Sequence, residues 1–207
     1  MKIAPALLTQ TKYEYDGLLP KARQMSDRLQ YDFVDGKFAR NKTVSPQELE
    51  PIADMQLDID MMVERPKEWV NRLTRLRPHL VVFHFECKDD LVDVIGHWVG
   101  FSKIGVAINP ETRVDEIRHL LIDCDHVLVM GVEAGFSGQP LQERVLPKAA
   151  QIRALSKSVE IGIDGGVNST NLGYIAAAGF DIAYVNSAVF GKEDPVEAFA
   201  QLEKVAV

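Results

Sequence analysis

The chain is short of several things, and each shortage excludes something. Cysteine is down to two residues, Cys87 and Cys124. Their spacing matches no metal site and no disulfide framework, so both read as structural thiols in a reducing cytoplasm. Positive charge is also short: 23 Lys and Arg stand against 30 Asp and Glu, a net charge of −7. Phosphate backbones require a basic face, so nucleic acid is not an expected partner. No apolar run approaches the ~20 residues that cross a bilayer, and MKIAPALLTQ lacks the apolar core and cleavage site of a signal peptide. No low-complexity tract or shift in composition divides the chain. The expectation is one cytoplasmic domain spanning residues 1–207, with no membrane partner.

What is present is a strict alternation of short apolar runs with longer amphipathic ones. Strands are expected at 2–8, 31–35, 55–62, 80–86, 103–109, 126–133, 159–166 and 182–190. Helices are expected between them at 17–29, 66–76, 89–100, 113–123, 146–157, 169–179 and 194–204. Ser169 and Asp194 read as helix caps and Gly179 as a helix-ending glycine. Strand–helix repetition with nearly continuous apolar strands predicts a parallel sheet covered by helices. Eight such units without a linker point to a closed (β/α)8 barrel, an α/β fold; an open doubly wound sheet is the alternative.

In such a barrel, chemistry sits where the strands end at their C-termini. Asp32 and Asp35, Asp58 and Asp60, His84 and Glu86, Asn109, Glu133, Asp164, Asn186 and Ser187 all fall near those ends. The stretch QLDIDMM is the telling one, because Asp58 and Asp60 put two carboxylates on one strand of a sheet with no edge. Asp58 sits deeper and suits a hydrogen-bonded structural role. Three neighbouring strand ends carry small residues: Gly135, Phe136, Ser137 and Gly138; Gly165 and Gly166; Asn186 and Ser187. Clustered backbone N–H groups of this kind bind a phosphate without lysine, which explains how an acidic chain could take an anion.

The strings YDFVDGKF, LDIDMMVERP, VFHFE, AINPET, VMGVEAGFSGQ, IDGGV and NSAVFG, in this order, resemble the motif series of the ribulose-phosphate 3-epimerase family. The likeness runs from IAPALL at residues 3–8 almost to the C-terminus. It implies a TIM barrel of the ribulose-phosphate-binding type and an isomerase of carbohydrate metabolism. The reaction would interconvert D-ribulose 5-phosphate and D-xylulose 5-phosphate, with Asp32 and Asp164 moving the proton through an enediolate. It also implies a divalent metal, typically zinc, held by two aspartates and two histidines.

Here the pattern departs from the family. Gln30 and Asp60 stand where the histidines are expected, Ala6 where serine is, and Lys37 where histidine is usual. Glu133 and Ala134 replace Asn-Pro, and Asn186 replaces glycine. The metal set becomes Asp32, Asp60 and Asp164, whose hard oxygens suit Mn²⁺ or Mg²⁺ better than Zn²⁺, if a metal is used at all. Gln30, Lys37 and Met130 are candidate substrate contacts. A phosphorylated sugar is the expected partner, and a homo-oligomer is possible. Two other readings stay open: an enzyme on another sugar phosphate, and a silent sugar-phosphate-binding homologue. Hexulose-phosphate synthases carry Asp-x-Lys-x-x-Asp on the third strand. This chain has Asp58, Asp60 and Val63 at those places, which counts against them.

Overall fold

The computed structural model describes residues 1–206. Eight strands, β1 (Lys2–Leu7), β2 (Arg28–Val34), β3 (Gln56–Met62), β4 (Leu80–His84), β5 (Lys103–Ile108), β6 (His126–Met130), β7 (Glu160–Asp164) and β8 (Ile182–Val185), pair in parallel and in chain order. β8 returns to β1 and closes a TIM barrel. Period-two alternation sorts the strand residues into two populations. Leu29, Tyr31, Phe33, Ile59, Val81, Phe83, Val127 and Ile163 belong to the large cluster that packs under the helices. Ala4, Ala6, Leu80, Val82, Ala107, Leu128, Met130, Ile182 and Tyr184 form a smaller cluster inside the barrel. Polar side chains share that interior: Gln30, Asp58, Asp60 and His84 are wholly buried.

The helices are α1 (Lys12–Ala22), α2 (Val70–Leu73), α3 (Leu91–Trp98), α4 (Pro147–Leu155), α5 (Leu172–Ala177), α6 (Ser187–Phe190) and α7 (Pro195–Val205). Several sequence expectations need correction. The first helix begins five residues early, at a capping box in which Thr11 and Glu14 bond each other's backbone N–H. It ends at Ala22, because Arg28 and Leu29 belong to β2. The helix expected at 113–123 is only a 3-10 turn at Val114–Ile117. The helix expected at 66–76 is mostly 3-10, with one α turn at its middle. In both, a run of buried residues falls three positions apart, Val114, Ile117 and Leu120 in one and Val70, Leu73 and Leu76 in the other, with Leu121 and Pro66 buried outside the series. That spacing suits three residues per turn better than 3.6. The last strand stops at Val185, where Asn186 leaves the extended region (φ −114°, ψ −87°) and α6 begins. Ser169 caps nothing. The Asn168 side chain takes the turn instead, accepting from Thr170 N and Oγ1. Asp194 and Gly179 behave as expected, the first accepting from Val196 and Glu197, the second at φ 95° after α5.

Charge also closes the N-terminal end of the barrel. Arg28 Nε donates to Asp58 at 2.5 Å, its terminal nitrogens reach both oxygens of Glu160, and Tyr184 Oη donates to Asp58 at 2.7 Å. His126 Nδ1 adds a third donor to Glu160 at 3.0 Å. Asp58 thus has the structural role its depth suggested. His126 also explains Gly162: a Cβ there would lie 2.6 Å from the imidazole Nε2. Burial alone would raise the Glu160 carboxyl, but the hydrogen bonds from His126 and Arg28 hold it well below the usual range.

A carboxyl depressed in the folded state adds stability above its unfolded value and loses it as pH falls. Glu160→Gln should therefore cost about 1.5–3 kcal/mol at pH 7, the worth of hydrogen bonds to a charged group. The deficit should shrink progressively below the ordinary glutamate value of 4.5. Urea unfolding of both proteins at pH 7 and pH 3 checks this, and an equal deficit at both would show the contribution is not ionic.

Candidate active site

At the other end of the barrel, register decides which acids meet. Asp32 of β2 pairs directly with Asp60 of β3, and Met130 of β6 with Asp164 of β7. One carboxylate oxygen from each of Asp32, Asp60 and Asp164 lies within 4.8 Å of the others. All three residues are buried. Gln30, one inward step below Asp32, places its amide nitrogen 2.7 Å from Asp32 Oδ1 and 2.6 Å from Asp164 Oδ2. Both of its N–H bonds are thereby used on carboxylates from two strands. On the far side, His84 Nε2 lies 3.0 Å from Asp60 Oδ1, and its Nδ1 lies 3.8 Å from Glu86 Oε2. The Phe38 ring covers His84 at 4.9 Å.

Burial and mutual repulsion act together here. Asp32 is pushed well above the usual carboxylate range by burial first, then by Asp164 and Asp60. Asp164 is pushed up to about 7 by burial and by the Asp60 charge. Burial alone would depress His84, yet Asp60 and Glu86 raise it to about 10, which makes it a cation at neutral pH. The site is a carboxylate cluster with one fixed positive charge beside it.

Above the acids, three loops supply small residues to one pocket. It is lined by Asp32, Met62, Met130, Asp164 and Tyr184 below, and by Gly135–Gly138, Gly165, Gly166, Asn186 and Ser187 above. Gly166 could hardly be another residue: φ is +73°, and a Cβ would sit 2.4 Å from Leu141 N. The loop after β6 is clasped from the opposite side, where Asn41 Nδ2 donates to Gly135 O at 2.8 Å. Gln10 in turn donates to Asn41 Oδ1 at 3.0 Å. Asn186 Nδ2 donates to Ala6 O, fixing the rim between β8 and β1.

The residues singled out in the sequence thus fall into two groups. Asp32, Met130, Asp164 and all of the small-residue loops share the pocket, while Asp60, clustered with the two acids, is wholly buried and does not line it. Gln30 is wholly buried behind the acids. Lys37 is exposed and lines a neighbouring cavity with Arg40, Glu86 and Glu133. The Asn41 clasp carried no sequence signal, since a lone asparagine in a loop has many uses. The His84–Asp60 pair had a weak one, two polar residues at the inward phase of adjacent strands.

The donor set can be tested against a divalent cation. Asp60 Oδ2 and Gln30 Oε1 are buried with no hydrogen-bond partner, and every donor atom in the cluster is oxygen. Unpartnered oxygens beside three carboxylates fit a hard cation.

Residues 2–190 match the model of the ribulose-phosphate 3-epimerase family. The Bacillus subtilis ribulose-phosphate 3-epimerase is 29% identical, with 98% of each chain covered. The Mycobacterium tuberculosis ribulose-phosphate 3-epimerase is 32% identical over 99% of this chain and 92% of its own. Among solved structures, 3-hexulose-6-phosphate synthase from Salmonella typhimurium superposes with a TM-score of 0.71 at 14% identity, covering 100% of this chain and 98% of that one. Orotidine 5'-monophosphate decarboxylase from Sulfolobus solfataricus gives 0.68 at 14%, covering 99% and 97%. At that identity these structures speak to the barrel alone.

The His84–Asp60 pair yields a stability prediction. His84→Leu leaves a buried carboxylate without its cation and should cost about 3–5 kcal/mol. Adding Asp60→Leu removes the orphaned charge and should recover a large part of that loss. Urea unfolding of the two variants decides it; a double variant no more stable than the single one would show that the two side chains are not paired.

Proposed function

The chain belongs to the ribulose-phosphate 3-epimerase family, and we propose that it interconverts D-ribulose 5-phosphate and D-xylulose 5-phosphate by moving one proton at the carbon beside the ketone. The observation that carries this reading is the Asp32–Asp164 pair, held together by one amide under a glycine-lined pocket. Inverting a carbon through an enediolate needs a base on one face and an acid on the other. Two acids drawn from β2 and β7 can serve both faces of a ligand lying between them. An Asp164 carboxyl near 7 exists in both protonation states at neutral pH, as such a group requires. Asp32, which burial and then Asp164 and Asp60 push well above the usual carboxylate range, would be the partner group on the other face.

The backbone N–H groups around Gly135, Gly138, Gly165, Gly166 and Ser187 would hold the phosphate. Met130, Met62 and Tyr184 would floor the sugar. Lys37 would reach the substrate only if its loop turned inward. Asp32, Asp60 and Asp164 would hold a Mn²⁺ or Mg²⁺ ion, which would stabilise the negative oxygens of the enediolate. His84 would offset part of the remaining charge from behind Asp60. A silent sugar-phosphate-binding homologue is the second reading. It draws on one observation, that Asp60 gives one of its oxygens to His84.

Ribulose 5-phosphate in deuterated water separates the two readings. An active enzyme incorporates deuterium at the carbon beside the ketone, and a silent binder incorporates none. Asp32→Asn and Asp164→Asn should each slow the exchange by about 10³-fold, with ligand affinity measured by calorimetry within about threefold of the parent. Full exchange in either variant would remove that residue from the reaction. Gly138→Asp should instead weaken binding by at least about tenfold, by setting a carboxylate where the phosphate meets backbone amides.

The protein as purified should hold little zinc, because the oxygen-only set lacks the imidazoles that favour it. Gln30→His together with Asp60→His should restore zinc binding. Stoichiometric zinc in the unmodified protein, by elemental analysis, would overturn the assignment of the ligands.

A further inference from the structure

We propose that Gln30 is a two-position amide shared by Asp32 and Asp164: its nitrogen clamps the carboxylates when no cation is bound, and its oxygen turns in as a ligand when one is. This deepens the cation-binding reading above and rests on it. The geometry fixes the first position. With the nitrogen 2.7 and 2.6 Å from two carboxylate oxygens, each N–H has an acceptor. Exchanging the two ends would bring an amide oxygen to the same distances from two carboxylate oxygens, which is repulsive wherever both acids are ionised. A proton donor is therefore required at that spot whenever nothing else neutralises the pair.

The second position follows from the other end of the side chain. Gln30 Oε1 is wholly buried and meets no donor, so nothing behind the amide holds it in its present orientation. The two ends of the group are nearly the same size, and the last side-chain torsion joins sp³ to sp² carbon, where barriers are soft. What stands in front of the amide then decides which end faces forward. Bare carboxylates select nitrogen. A cation held by Asp32, Asp60 and Asp164 repels N–H and selects oxygen, adding a fourth oxygen to the set of three. A fixed ligand such as histidine cannot do both, since its protonated form repels the cation and its neutral form bridges the acids with a single N–H. The chain thus has a cluster that stays bridged when empty and opens to a hard cation.

The test is the side-chain amide resonance of Gln30 in ¹H–¹⁵N spectra, assigned by its disappearance in Gln30→Met. In protein stripped with chelator, both protons should be shifted downfield and protected from solvent exchange by their carboxylate bonds. Titration with MgCl₂ should move both upfield as the nitrogen turns away, in step with the binding heat in calorimetry. Gln30→Glu should tighten Mg²⁺ binding by about tenfold, as charge count does in oxygen sites, and Gln30→Met should weaken it. Binding heat without movement of the Gln30 resonances overturns the proposal, and so does the absence of Mg²⁺ binding at millimolar concentration. Neither readout needs turnover. A protein that shows the Gln30 response yet incorporates no deuterium from solvent would sink the epimerase reading and leave this one standing.

Discussion

The constraint on which this site depends is the cost of burying like charge. Asp32, Asp60 and Asp164 converge inside a closed sheet where water cannot solvate them. Three ionised carboxylates at that separation cannot persist without compensation. The barrel provides it in unequal shares. Gln30 gives one N–H to each of Asp32 and Asp164, while His84 gives Asp60 a full positive charge. The result divides the cluster. Asp60 is matched to a cation, and the other two are left with neutral donors and displaced protonation, which is the condition an acid–base pair needs.

The two ends of the barrel resolve the same problem in opposite ways. At the bottom, Asp58 and Glu160 share Arg28, with Tyr184 and His126 completing the donors. The hydrogen bonds from His126 and Arg28 hold Glu160 well below its normal range there, while burial raises Asp58 against the pull of Arg28 and Tyr184. At the top, burial and repulsion exceed the compensation, so Asp164 rises to about 7. Asp58 and Asp60 are two residues apart on β3 and point the same way, yet Asp58 is bonded to Arg28 and Tyr184 and Asp60 meets His84.

Much of this was legible in the sequence because alternation in a parallel strand is simple. Once eight apolar runs imply a closed barrel, the strand ends collect a set of polar residues, and the resemblance to the epimerase family picks Asp32, Asp60 and Asp164 out of it. The glycine loops were legible for a similar reason, since short side chains at adjacent strand ends have few other uses. What escaped was geometry decided by tertiary contact. The β2 strand begins three residues earlier than its apolar run, because Arg28 is drawn inside by Asp58 and Glu160. The segments around Val114 and Val70 are amphipathic at a spacing of three, which a helix-period reading mistakes for α structure. Asn41 depends on a carbonyl 94 residues away, and no local pattern encodes that.

Gln30 and Asp60, standing where the resemblance implies imidazoles, would change more than the preference for a metal. Two neutral nitrogen ligands with two carboxylates leave a site that a dication can neutralise, and that is poorly balanced without one. Here a third carboxylate arrives, and His84 stands in contact with it at 3.0 Å. Fixing one positive charge in the protein lowers the attraction for an exchangeable one, and the amide of Gln30 lowers it again by satisfying the acids in its absence. On the proposed function, a site that favours zinc would give way to one of hard oxygens alone. The glycine-lined end of the pocket keeps Gly135, Gly138, Gly165 and Gly166 at positive φ, a backbone conformation that does not depend on side-chain charge. On the proposed function, binding and proton transfer would thus be carried by different parts of the chain.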